Sequence, residues 1–194
     1  MVRAAVRAAV RAAMRGHGSG VSMREPIRIW GLGSDHGDDR IGWAVVETLV
    51  GDAVCGPYVR TARAPWDLLL DDPWPRRMIV VDAAQLGRAA GAIVETTLGG
   101  HAFGATFRVG DAASQVTTHV LRSSRGSSHG AGLAEILELA RQLGRSVDEL
   151  VLLAVEIQQC EPGSGLSDPA RHALPRVVRR VRELASEWLQ QDAC

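Results

Sequence analysis

The chain contains no lysine and no asparagine among its 194 residues, so all 22 of its basic side chains are arginine. Both missing residues have AT-rich codons. Their joint absence points to a GC-rich, bacterial genome and says nothing of function. Cysteine is scarce: Cys55, Cys160 and Cys194 stand far apart with no CxxC pair. That pattern argues against a disulfide scaffold and a structural zinc site, and it suits a reducing cytoplasm. No apolar run approaches the roughly 18 residues of a membrane span. Charge of one sign is also lacking: 22 basic residues face 22 acidic ones, which leaves no basic footprint for nucleic acid. What remains is 46% hydrophobic and 23% charged, the composition of a soluble globular protein of about one domain.

Residues 1–22 stand apart from the rest. A VRAA unit repeats there, placing Arg3, Arg7, Arg11 and Arg15 four residues apart, with no acidic residue and a glycine-containing end. An Arg-rich, acid-free leader resembles a transit peptide or a membrane-surface helix. The plainer reading, an extension ahead of Met23 loosely attached to the domain, is preferred. Without those four arginines the body, residues 23–194, carries 18 basic against 22 acidic residues.

From Arg24 onward strands and helices alternate. Ile27–Trp30 reads as a strand running into the turn Gly31-Leu32-Gly33. Ile41, Ala44, Val45, Thr48 and Leu49 then recur at helical spacing. Strands are expected at 57–63, 78–81, 93–98, 106–109 and 151–155. A short helix is expected at 66–70, a further helix marked by Leu133, Ile136, Leu137 and Ala140, and a long closing helix at 169–191. The apolar runs at 78–81 and 151–155 have the character of strands buried on both faces. The pattern predicts a single three-layer α/β/α domain with a mostly parallel central sheet.

In such a sheet ligands bind beyond the carboxyl ends of the strands, near a reversal of strand order. Three polar clusters fall at such ends. The first is the turn from Gly33 to Gly42, with Asp35, His36, Asp38 and Asp39. It fails the dinucleotide fingerprint because His36 stands where the third glycine belongs, and its carboxylates would repel a pyrophosphate. Acidic residues at a helix start also serve as caps, which explains one of Asp38 and Asp39 equally well. The second is Asp82, at the exit of an apolar strand. There it is either satisfied by a neighbouring amide or acts as a metal ligand or general base. The third is His129, in Ser127-Ser128-His129-Gly130, either a loop residue or, beside two carboxylates, part of a mixed N/O set suited to zinc or nickel.

Taken together these motifs resemble the maturation proteases of nickel–iron hydrogenases. The opening Gly31-Leu32-Gly33-Ser34 followed by Gly37-Asp38-Asp39, the strand end Val80-Val81-Asp82-Ala83, and Ser127-Ser128-His129 through Leu133 stand in the family's order, and a late segment, Ala154–Ser167, matches as well. The resemblance implies a phosphorylase/hydrolase-like α/β/α fold and an aspartyl-endopeptidase-like site of Asp39, Asp82 and His129. These residues would contact nickel carried by the precursor of the hydrogenase large subunit, with His36 as a possible fourth contact or an exposed residue. It implies no resident cofactor. The sequence departs from the family at Ser34, where asparagine is frequent. It departs again at Thr61–Trp66, which is bulkier than the family's glycine-rich segment.

Two further classes of function stand beside a protease. One is a non-catalytic accessory protein that binds a metallated partner or delivers metal. The other is a nucleotide-dependent oxidoreductase, against which the acidic turn argues. Trp30, Trp43, Trp66 and Trp74 form either a docking surface or, for most of them, core.

Overall fold

The computed structural model describes residues 26–99 and 132–192. The leader, the strand expected at 106–109 and His129 lie outside them. Five strands form one sheet: β1 (Ile27–Leu32), β2 (Val59–Ala62), β3 (Arg77–Ala84), β4 (Ile93–Gly99) and β5 (Glu149–Glu156). Their order is β2-β1-β3-β5-β4. β2, β1, β3 and β5 run parallel, and β4 pairs antiparallel with β5.

Alternation along the strands divides the core. Ile27 and Ile29 of β1, with Ile79 and Val81 of β3, face α1 (Ile41–Leu49) and α3 (Asp168–Asp192), where they meet Val45, Leu49, Val177, Val181 and Trp188. Trp30, Met78 and Val80 point to the opposite face. There they pack under Leu68 of the 3-10 helix Pro65–Leu70 and under Leu133 and Leu137 of α2 (Leu133–Gln142). The three-layer expectation therefore holds, with both faces of the central strands covered. Arg28 breaks the apolar run of β1. Its buried guanidinium is offset by Asp71, whose carboxylate accepts from Nε at 2.6 Å.

Several boundaries differ from the sequence expectation. β1 runs through Gly31 to Leu32, so the glycine lies inside the strand. β2 is cut to four residues by a preceding 3-10 turn at Gly56–Tyr58, and the short helix before β3 is 3-10. β3 continues to Ala84, so Asp82 lies within the strand and not beyond its end.

The glycines around β1 serve close packing. A Cβ on Gly42 would sit 2.1 Å from the Leu32 carbonyl oxygen and 2.7 Å from that of Val81. Both obstacles are backbone, so the first turn of α1 can lie this near the sheet only without a side chain. Gly42→Ala is expected to cost about 2–3 kcal/mol, read as a lower urea midpoint. Gly51 has open space around its Cβ position, and Gly51→Ala should stay within about 0.5 kcal/mol of the parent.

Candidate active site

The chain leaves β1 to form β2 on one side and returns to form β3 on the other. The order reversal therefore lies between β1 and β3, where a parallel sheet opens a crevice at its carboxyl edge. The pairing of β1 with β3 ends at Gly31↔Val81, whereas β3 stays paired with β5 through Asp82↔Ala154 and Ala84↔Glu156. Asp82 is thus the first residue of β3 past the β1 ladder. The 3-10 turn Gly37–Arg40, which carries Asp39, follows β1 on that side.

Asp39 and Asp82 come close enough for their charges to interact. Burial pushes the Asp82 carboxyl pKa up to about 7, and the charge of Asp39 adds to the shift. One bond opposes it, from the Ala83 amide at 2.9 Å. Asp39 is half-buried and accepts a hydrogen bond from the Ser34 hydroxyl. Ser34 Oγ also lies 2.9 Å from Nδ1 of His36, an exposed ring at the rim.

Asp38 presents the contrast that separates the two adjacent carboxylates. It is 1% exposed. Its oxygens accept from the Ser167 amide (2.6 Å), the Ser167 hydroxyl (2.8 Å) and the amides of Gln158 (2.8 Å) and Gln159 (3.2 Å). Burial would raise its pKa, but these donors outweigh it and hold the carboxyl below the usual range. Asp38 is a satisfied structural anion. Asp82 has one donor and a like charge facing it, the condition that marks a carboxyl available for chemistry.

The cap reading of the turn is corrected by this geometry. Asp38 caps no helix of its own: it fastens the turn to the loop between β5 and α3. Glu156 does the same at the end of β5, accepting from the amides of Leu86 (2.8 Å) and Arg88 (3.1 Å) on the loop after β3. Its signature was visible in the sequence, since a carboxylate ending the apolar run 150–155 is the pattern that singled out Asp82. Cys160, an unpaired thiol on the β5–α3 loop, also feels the charge of Asp39; burial first and that charge second push its pKa up.

Among the described residues no three His, Cys, Asp or Glu side chains converge to hold a metal ion. The pair Asp39 and Asp82 is brought together, whereas His129 lies outside those residues, with α2 beginning four positions after it. Of the tryptophans, Trp30 and Trp74 are core and Trp66 is exposed. Trp43 is half-buried, donates to the Ala62 carbonyl at 3.0 Å and lies under Arg63. A small cavity against α2, lined by Trp74, Leu137 and Arg145, includes none of the candidate residues.

No family model matches the chain, and no curated protein is similar to it in sequence. Solved structures are similar. The nickel–iron hydrogenase maturation protease HycI from Thermococcus kodakarensis KOD1 superposes with a TM-score of 0.57 at 20% identity, over 85% of this chain and 95% of that one. The endopeptidase HycI from Escherichia coli gives 0.57 at 19% identity, over 79% and 87%. The hydrogenase maturating endopeptidase HybD from E. coli gives 0.51 at 23% identity, over 83% and 93%. The chain has the fold of the hydrogenase maturation proteases. Identities this low establish a shared backbone alone. Among the described residues no helix is long and apolar enough to cross a membrane.

Proposed function

We propose that the protein is an endopeptidase that removes the C-terminal peptide from a nickel-loaded precursor of a nickel–iron hydrogenase large subunit. The observation that carries this reading is the Asp39–Asp82 pair at the sheet crevice of a maturation-protease fold, where burial and the charge of Asp39 push the Asp82 carboxyl up. With no cation beside it, the Asp82 carboxyl is disfavoured as an anion by its burial and by the neighbouring charge. Nickel carried by the precursor would displace the Asp82 proton and bind between the two carboxylates, with His129 as the third contact and His36 at the rim. An empty precursor brings no such charge, so the site discriminates metallated from unmetallated substrate. The metal is part of the substrate and no cofactor resides in the protein.

Hydrolysis then needs a polarised scissile carbonyl, an attacking water, and a group that takes the water's proton and passes it to the departing nitrogen. Nickel held on the pair suits the first task. A carboxylate oxygen of the pair that does not ligate the ion suits the last. Free thiols at Cys55 and Cys160 fit a cytoplasmic setting.

The test is intact mass spectrometry of large-subunit precursors, nickel-loaded and nickel-free, after mixing with the protein. Loss of a C-terminal peptide from the loaded form alone is expected. A nickel-dependent complex without any mass change would instead establish the accessory-protein reading.

A further inference from the structure

Asp38 takes no part in the chemistry above, yet it ties together two segments more than a hundred residues apart. Besides the four bonds its carboxylate accepts, the Asp38 amide donates to the Gln159 carbonyl (2.9 Å) and the Gly37 amide donates to the Ser164 carbonyl (3.1 Å). Gly37 has a φ of 53°, and a Cβ there would meet the Gln159 carbonyl oxygen at 2.7 Å and Ser164 Oγ at 2.9 Å, so the two segments lie in backbone contact. A carboxylate suits this junction because it accepts at several lone-pair positions and donates nothing, and charge-assisted bonds are the strong ones.

The next residue is Asp39. Its amide donates within the turn to the His36 carbonyl at 3.1 Å and also faces the Cys160 thiol of the β5–α3 loop, and its carboxylate is held by the Ser34 hydroxyl. The direction of Asp39 is therefore set by the turn that Asp38 anchors and by the β5–α3 loop that the same clasp holds against it. The same anchor draws Gln158–Ser167 against the turn and places Cys160 beside Asp39.

We propose that Asp38, with Ser167, is a positioning residue. Its clasp on the β5–α3 loop fixes the 3-10 turn so that Asp39 faces Asp82, and it builds that loop into one wall of the site. The proposal rests on the maturation-protease reading for its catalytic consequence and on geometry alone for the clasp.

The experiment compares the full chain with Asp38→Asn and Ser167→Ala, measuring amide hydrogen exchange and, on nickel-loaded precursor, kcat and KM separately. In Asp38→Asn a side-chain donor replaces one acceptor against a ring of donors. Protection at Asp39, Gln158, Gln159 and Ser167 is expected to fall at least about 10-fold while that of β3 and β5 amides persists. kcat should fall about 30-fold or more with KM within about 3-fold, the mark of an interaction realised in the transition state. Ser167→Ala, which removes one of the four donors, should give a smaller loss of both. Exchange freed at the loop with kcat unchanged, in either variant, would show a purely structural role and overturn the positioning. Should Asp38→Asn fail to fold, Ser167→Ala decides by the same criterion. If the wild-type chain cleaves no precursor, the protease reading falls separately, and unchanged protection at Asp39 and Ser167 in the variants would overturn the clasp itself.

Discussion

Asp39→Asn and Asp82→Asn should each lower removal of the C-terminal peptide by at least about 100-fold, the usual loss when a positioned acid–base or charge-bearing group is removed. Both variants should keep the native circular dichroism spectrum and a cooperative melt. The fold has little to lose at either position. Asp82 accepts one amide bond and suffers both burial and a like charge, while Asp39 is tied by a single hydroxyl. Asparagine is close to isosteric and preserves those contacts in part, but it cannot carry the negative charge that holds a divalent ion. The measurement is intact mass of the nickel-loaded precursor at fixed times, paired with a melt of each variant. Processing that persists in Asp82→Asn would remove this pair from the mechanism. Collapse of the fold in both would return the carboxylates to a structural role, the one that the geometry gives to Asp38.

That distinction between Asp38 and Asp39 was beyond the sequence. The two residues are chemically identical neighbours at a helix start, and both satisfy the rule for acidic caps. What separates them is Ser167 and the Gln158–Gln159 amides, 120 to 129 positions along the chain. Hydrophobic periodicity carries no record of such partners. The strands were more legible, because an apolar run of four or five residues between turns has few other uses. Even so, the apolar run stops before Asp82 while the strand continues to Ala84, since a carboxylate ends an apolar run without ending the ladder. The direction of β4 could have been derived. Only eight residues separate Ala84 from Ile93, too few for the crossover of a dozen or more that a parallel strand requires. The helix expected at 66–70 forms as 3-10, behind Pro65 and before Asp71, a span too short to hold several α-helical bonds.

The stability of the protein should fall as pH rises from about 4 to about 7, and Asp82 is the cause. Its folded pKa of about 7 lies above the unfolded value near 3.8. Between those values the native state therefore holds a proton that the unfolded chain has released. Where the native state binds more protons, stability decreases with pH; the contribution is full below the unfolded pKa and gone once pH passes the folded one. For a half-buried carboxyl the loss is on the order of 3 kcal/mol, reduced to the extent that water reaches it. Asp38 and Glu95 shift the other way, Asp38 through its loop donors and Glu95 chiefly through its hydrogen bond from Arg180. Their contributions are present above the unfolded carboxylate range and disappear as pH falls through their depressed folded values. The two effects occupy separate windows, so Asp82 can be isolated. Urea unfolding at pH 4, 6 and 8 should show Asp82→Asn gaining on the parent at each step, from near parity at pH 4 to a lead of about 3 kcal/mol at pH 8. A difference that stays constant across the series would mean that Asp82 titrates as an ordinary carboxylate. The pair would then carry no strain for a substrate-borne cation to relieve, and discrimination between loaded and empty precursor would have to arise from contacts outside Asp39 and Asp82.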